Sequence, residues 1–175
     1  TKLNSDLNNI NASTLLGEGT DGKDGINGIK IDGNGDILVV GGTGNPGGFA
    51  VAGDPTYEPL YRFVAGDDGK GRNGFIAKFN DSLTEIKGYT FLGGGGTLHG
   101  AFRDNGTFVE SIVLDSQDNI YVTGSTADTD FPTTDNAFCR VHSEKGNNSP
   151  GDDAFIAKLD NNLDTLISST LLGGK

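Results

Sequence analysis

The chain has 175 residues with a formal net charge of −11, 29 glycines, five prolines, one cysteine and no methionine or tryptophan. That length accommodates one domain with a real core, and glycine at about 17% without a collagen-like period points to many tight turns. The acidic balance and singly scattered Lys and Arg exclude a phosphate-binding face and so nucleic acid as partner, lone Cys139 excludes an intrachain disulfide or a cysteine zinc cage, and no stretch approaches the ~20 apolar residues of a membrane span.

Taken in chain order, the first phrase is "KLNSDLNNINASTLLGEG" from Lys2. Its only helical candidate, Leu3 to Ile10, is better matched by a strand and turn. "GIKIDGNGDILVVGGT" from Gly28 follows as a hairpin, with Ile29 and Ile31 on one face and the Gly- and Asn-rich run from Asp32 to Asp36 as its turn. The segment Gly44 to Arg72, with Pro46, Pro55 and Pro59, is the longest loop. In "GFIAKFN", Phe75, Ala77 and Phe79 alternate with Ile76 and Lys78, a period of two that predicts a strand with one inward face. "KFNDSLTEIKGYTFLGGG" continues it, "SIVLDSQDNIYVTGST" opens another hairpin with Ile120 and Val122 on one face, and "AFIAKLD" begins the last, with Phe155, Ala157 and Leu159 in step.

These phrases are repeats. The segments that start at Lys2, Lys78 and Lys158 align over their length, and Leu7, Leu83, Leu163 and Thr14, Thr90, Thr170 keep the same spacing. Asp32 corresponds to Asp115 and Gly41 to Gly124 in the intervening phrase. One repeat is two hairpins, or four antiparallel strands, and such units in series are the blades of a propeller. The phrases "GIKIDGNGDILVVGGT", "SIVLDSQDNIYVTGSTADTDFPTTDNAF" and "DDAFIAKLDNNLDTLISSTLLGG" resemble the bacterial β-propeller repeat family known as SBBP repeats. The resemblance runs from Lys2 to Gly174 and is weakest across Gly44 to Arg72 and Gly94 to Thr107. It implies a propeller blade of secreted or cell-surface prokaryotic proteins, and it implies no catalytic residues.

The expected fold is therefore all-β: propeller blades of four antiparallel strands, two repeats plus one extra hairpin. Residues 1–17 are expected to form an orphan hairpin, 18–93 the first repeat and 94–175 the second, together one all-β domain. Five hairpins do not divide into whole blades, and two blades are too few for a ring of four to eight. The clipped strand before "TKL" and the start on Thr1 rather than Met favour a piece of a longer propeller over chains that share blades.

Candidate chemistry is sparse. Asp32, Asn34 and Asp36 have the alternating oxygen ligands that open a calcium loop, but Ile37 and Thr43 stand where an EF-hand needs Gly and Glu. A hairpin turn in which Asp and Asn bond nearby backbone amides explains them without metal. The same two readings, calcium or turn, apply to Asp21 and Asp24 and to Asp152 and Asp153. The runs "GGTGNPGG" and "GGGGTLHG" lack the GK-Ser/Thr of a phosphate cradle and are expected to be backbone turns. His99 and His142 fall in expected loops, where a lone histidine is ordinarily solvated; for Tyr57, Tyr61 and Arg62 in the long insertion the two readings are a ligand or partner surface and packing beneath the loop, and the second is preferred.

The leading expectation is a noncatalytic structural or adhesive module of a secreted or cell-surface prokaryotic protein, working by protein association or self-assembly through edge strands and blade faces. The alternatives are part of a carbohydrate-active propeller enzyme, with glycan as ligand and a site lined by Asp152, Asp153 or His99, and a calcium-dependent binding module.

Overall fold

The computed structural model describes residues 1–17, 24–44, 72–94, 106–145 and 149–173, and every regular element among them is a strand. No helix among these residues is long and apolar enough to cross a membrane. A short hairpin, β1 (Lys2–Leu3) with β2 (Ile10–Ala12), precedes two four-stranded antiparallel sheets. The first sheet is a simple meander of β3 (Gly25–Ile31), β4 (Ile37–Thr43), β5 (Asn73–Phe79) and β6 (Ile86–Leu92). The second has the same order in β7 (Thr107–Leu114), β8 (Ile120–Thr126), β11 (Asp153–Leu159) and β12 (Leu166–Leu172). A minor ladder of β9 (Glu144–Lys145) with β10 (Ser149–Pro150) sits in the excursion between β8 and β11, and no periodicity in the sequence announces it.

The two sheets are copies down to their irregularities. A bulge falls at Asn27 in β3 and at Glu110 in β7, 83 residues later, and another falls at Lys87 in β6, opposite Lys78 and Phe79, and at Ile167 in β12, opposite Lys158 and Leu159. Gly41 and Gly124 occupy one repeat position for one reason. A Cβ at Gly41 would run into the carbonyl oxygen of Gly25, and a Cβ at Gly124 into that of Phe108, so only glycine lets the first strand come so close to the second.

Two turn designs recur. Between the first two strands of each sheet, Asp32 Oδ1 accepts the backbone N–H of Asn34 and Asp36 at 2.9 Å each, and Asp115 Oδ1 does the same for Gln117 and Asn119. The third turn residue after the aspartate has positive φ, Gly35 at 86° and Asp118 at 60°, the left-handed region that glycine and aspartate tolerate best. Between the last two strands, Asn80 Oδ1 accepts from Thr84 and Glu85, and Asp160 Oδ1 from Asp164 and Thr165; Asn4 repeats the pattern with Asn8 and Asn9. Each of these turns carries a leucine in the left-handed region: Leu7 (φ 57°), Leu83 (56°) and Leu163 (64°).

Leucine is a costly choice there, by about 1–2 kcal/mol. Burial repays it at Leu163, which is fully enclosed in the core between the sheets, where a leucine contributes about 1.5–3 kcal/mol. Leu83 is partly buried against the first sheet, whereas Leu7 is exposed and gains nothing comparable.

The sheets stack face to face. Leu38, Val40, Ile76 and Leu92 on one face of the first sheet interlock with Val109, Ile112, Ile120, Val122 and Phe155 of the second. Phe131, from the "DFPTT" segment after β8, lies on Phe155 with ring centroids 4.5 Å apart. On its opposite face the first sheet carries a second cluster, Ile37, Val39, Phe75, Ala77, Phe79 and Phe91, against which Leu16 from the N-terminal segment packs. Both faces of β4 and β5 are thus buried along their whole length. Truncating Leu163→Ala should lower stability by about 2–5 kcal/mol in urea unfolding, while Leu7→Ala at the same repeat position should fall within about 0.5 kcal/mol of the parent; equal effects would refute the assignment of burial to Leu163 alone.

Candidate functional site

The chemistry-bearing side chains gather where turns of the two sheets meet. Lys78 points from β5 into this junction with only 9% of its side chain exposed. Its ammonium lies 2.8 Å from Asp32 Oδ2 and 3.5 Å from Asp36 Oδ2, and it also donates to Oδ1 of Asn161 at 3.0 Å, in the last turn of the second sheet. Asn161 Nδ2 donates back to Asp32 Oδ2 at 3.3 Å, and Lys87 closes the group at 2.6 Å from Asp36 Oδ2. The backbone N–H of Gly33 donates to the carboxylate of Asp118, so both turns at this end of the second sheet are fastened to the first turn of its neighbour. On the other side of the stack, Asn27 Nδ2 donates to the carbonyl of Val109 at 2.9 Å.

The ammonium-to-turn contact is repeated along the stack. Lys2 occupies the position of Lys78 in the preceding repeat, and its Nζ lies 3.6 Å from the carboxylate of Asp81, the counterpart of Asn161. Lys158 is the third lysine. Its ammonium folds onto its own sheet, 4.8 Å from the centre of the Tyr121 ring and 3.4 Å from Asp115.

Electrostatics follow from these partners. Burial pushes the Asp32 pKa up, but the bonds from Lys78, Asn161 and the backbone amides of Asp36 and Asn34 outweigh it, and the net direction is down. The Asn119 amide does most to hold Asp115 far below the carboxylate range, helped by the backbone amides of Gln117 and Asn119 and by Lys158. Lys87 is raised, first by its bond to Asp36, and Lys158 is raised, first by Tyr121 and then by Asp115.

Of the residues singled out for calcium, Asp32, Asn34 and Asp36 come together at one turn, and the carboxylates of the two aspartates face lysine ammoniums there. Asp24 stands apart and accepts from the Thr43 hydroxyl at 2.6 Å. Asp21, along with Tyr57, Tyr61, Arg62 and His99, lies outside the described residues. Among the described residues no three His, Cys, Asp or Glu side chains are grouped as metal ligands. Asp152 and Asp153 part company: Asp152 is exposed, while Asp153 is buried and accepts both the backbone N–H and the hydroxyl of Ser143. His142 differs from the expected solvated loop residue; it is buried, with Nε2 3.1 Å from the carbonyl of Thr126.

Beside the lysine cluster is a cleft of about 390 Å³ lined by Asn34, Asp36, Lys78, Lys87, Asn161 and Asp164. Its lining mixes amide and ammonium donors with the carboxylates of Asp36 and Asp164, a set of donors and acceptors that suits hydroxyl-rich groups. The lysines are the part that sequence reasoning missed. Their signal was present, because Lys2, Lys78 and Lys158 recur in register with the turn residues that receive them.

Residues 92–132 match the family model of the SBBP β-propeller repeat, a span that covers β7, β8 and the segment carrying Phe131. No curated protein matches the chain.

Two outcomes test the cluster. Lys78→Met leaves Asp32 buried without its cation and should cost about 3–5 kcal/mol in chemical unfolding, where an effect below about 1 kcal/mol would contradict the buried-pair reading. Because Asp32 and Asp115 have lowered folded-state values, the stability they add is complete above about pH 4 and disappears as the pH falls through those values. Urea midpoints should therefore drop on acidification below about pH 4, and midpoints that stay level would show that these carboxylates are not coupled to folding.

Proposed function

We propose that this chain is a noncatalytic structural module, a run of β-propeller blades in a secreted or cell-surface prokaryotic protein that acts in protein association and extracellular assembly. The observation that carries the reading is the stack itself: two copies of one sheet are joined through faces that match, while apolar side chains remain exposed on the outer faces of both sheets, Ile26, Ile29 and Ile31 on one and Val113, Ile156 and Leu172 on the other. Exposed apolar area of this kind marks interaction surface. The chemistry gathered at the junction also supports it, since the lysines, aspartates and amides there are spent on fastening turn to turn.

The edges contribute less than the faces. The outer strand β12 is occupied along its edge, where Ser169 exchanges bonds with Thr134, and Leu171 N–H donates to the carbonyl of Cys139. Association is accordingly assigned first to the blade faces.

In cells that make the full-length protein, surface proteolysis and size fractionation should find it outside the cell in a high-mass assembly, and Ile156→Asp should shift it to lower mass. A protein confined to the cell interior would overturn the location, and one that is monomeric in every fraction would overturn the association role.

A further inference from the structure

We propose that the outer face of the second sheet docks the outer face of the first sheet in a second copy of this chain, head to tail, with Lys158 seated on the partner's turn at Asp81. This deepens the association reading and rests on it.

The internal junction supplies the template. Ile76 and Leu92 of the first sheet are 0% exposed because the second sheet covers them, and their repeat counterparts on the second sheet, Ile156 and Leu172, are 43% and 45% exposed. At the receiving side, Val109 and Ile112 are 0% and 4% exposed beneath the first sheet, while their counterparts Ile26 and Ile29 are 56% and 62% exposed. One copy therefore displays the incoming half of an interface that it already contains once in assembled form, while the receiving half is open along β3 and buried in its middle at Ile37, Val39 and Phe75, where Leu16 packs and where docking has to displace that cover. Such a contact joins two different patches and so propagates in one direction, closing into a ring if the rotation per copy permits.

The ammonium-to-turn contact gives the docking its register. Lys78 reaches Asn161 within the chain, and Lys2 reaches Asp81 in the same way from the N-terminal hairpin. That second contact is a place-holder: the pair is solvent-exposed, with 47% and 65% of the two side chains accessible, and worth little on that account. Leu16, at the repeat position of Leu172, packs on the same face. Lys158 and Leu172 of an incoming copy thus have the same repeat positions as Lys2 and Leu16, and docking would displace the hairpin's hold.

Two differences make the docked contact weaker than the internal one. Tyr121 and Thr123 stand where the first sheet has Leu38 and Val40, so the face is more polar. Glu110 stands where Asn27 donates to a carbonyl of the next sheet, and an ionised carboxylate has no hydrogen to give. A reversible contact, of the kind small polar interfaces make, follows from both.

Sedimentation of the purified intact chain at about 0.1 mM tests this, in the concentration range where weak interfaces populate. The parent should self-associate. Ile156→Asp should abolish association, and Glu110→Asn, which restores the missing amide, should strengthen it about tenfold or more. Lys158→Glu and Asp81→Lys should each be monomeric alone and associate when mixed, with far-UV circular dichroism showing that all variants remain folded. A monomeric parent overturns the docking, as does association unchanged by Ile156→Asp or by Glu110→Asn. If the purified parent is monomeric but the cellular protein still fractionates at high mass, only this self-docking fails; if both are monomeric, the association role fails with it.

Discussion

A β-sheet with apolar side chains on both faces has to be covered twice, and the rest of this structure is organised around that requirement. Alternation along a strand sends successive residues to opposite sides, so Ile37 and Val39 face one way while Leu38 and Val40 face the other, and all four are buried. No single partner layer can satisfy such a strand. Stacking identical sheets does, because each sheet covers its neighbour with the face that its other neighbour would need. The loops, bulges and turn residues are arranged so that one sheet presents to the next what the next is shaped to receive.

Apolar burial of that sort has little directional preference, and the polar contacts at the margins supply it. Lys78 is held between two aspartates of its own sheet and an asparagine of the next, so a slide of one sheet over the other would strand a buried cation. Gly33 with Asp118, and Asn27 with the carbonyl of Val109, fix the same relation from two further points. Three contacts of different chemistry, placed at separate points on the junction, define one orientation.

The sequence made much of this legible, and for identifiable reasons. Hairpins were readable because period-two alternation flanks Gly-, Asn- and Asp-rich turns, and the agreement of separate copies raised each weak signal. The Asp32 and Asp115 turns were foreseeable from the tendency of aspartate to bond its own backbone two to four residues on. Leu83 and Leu163 were readable as repeat markers but not as left-handed residues, since nothing in a leucine announces positive φ; only the enclosing core makes it tolerable. The lysines eluded assignment because a lysine on an alternating strand is ordinarily a solvated residue, and what buries Lys78 is the neighbouring sheet rather than its own. His142 was misplaced for a related reason: its burial depends on a long excursion folding back over β8, which no local pattern encodes.

The segment that lies along β12 has a consequence for the whole molecule. Thr134 and Cys139 take up backbone groups of Ser169 and Leu171 that would otherwise offer a free ladder to any passing strand. Sideways growth by strand addition, the route by which exposed sheets drift into fibrils, is closed at that margin. A sheet whose edge is taken up in this way is left with its faces for contact, which separates packing along the stack from sideways aggregation.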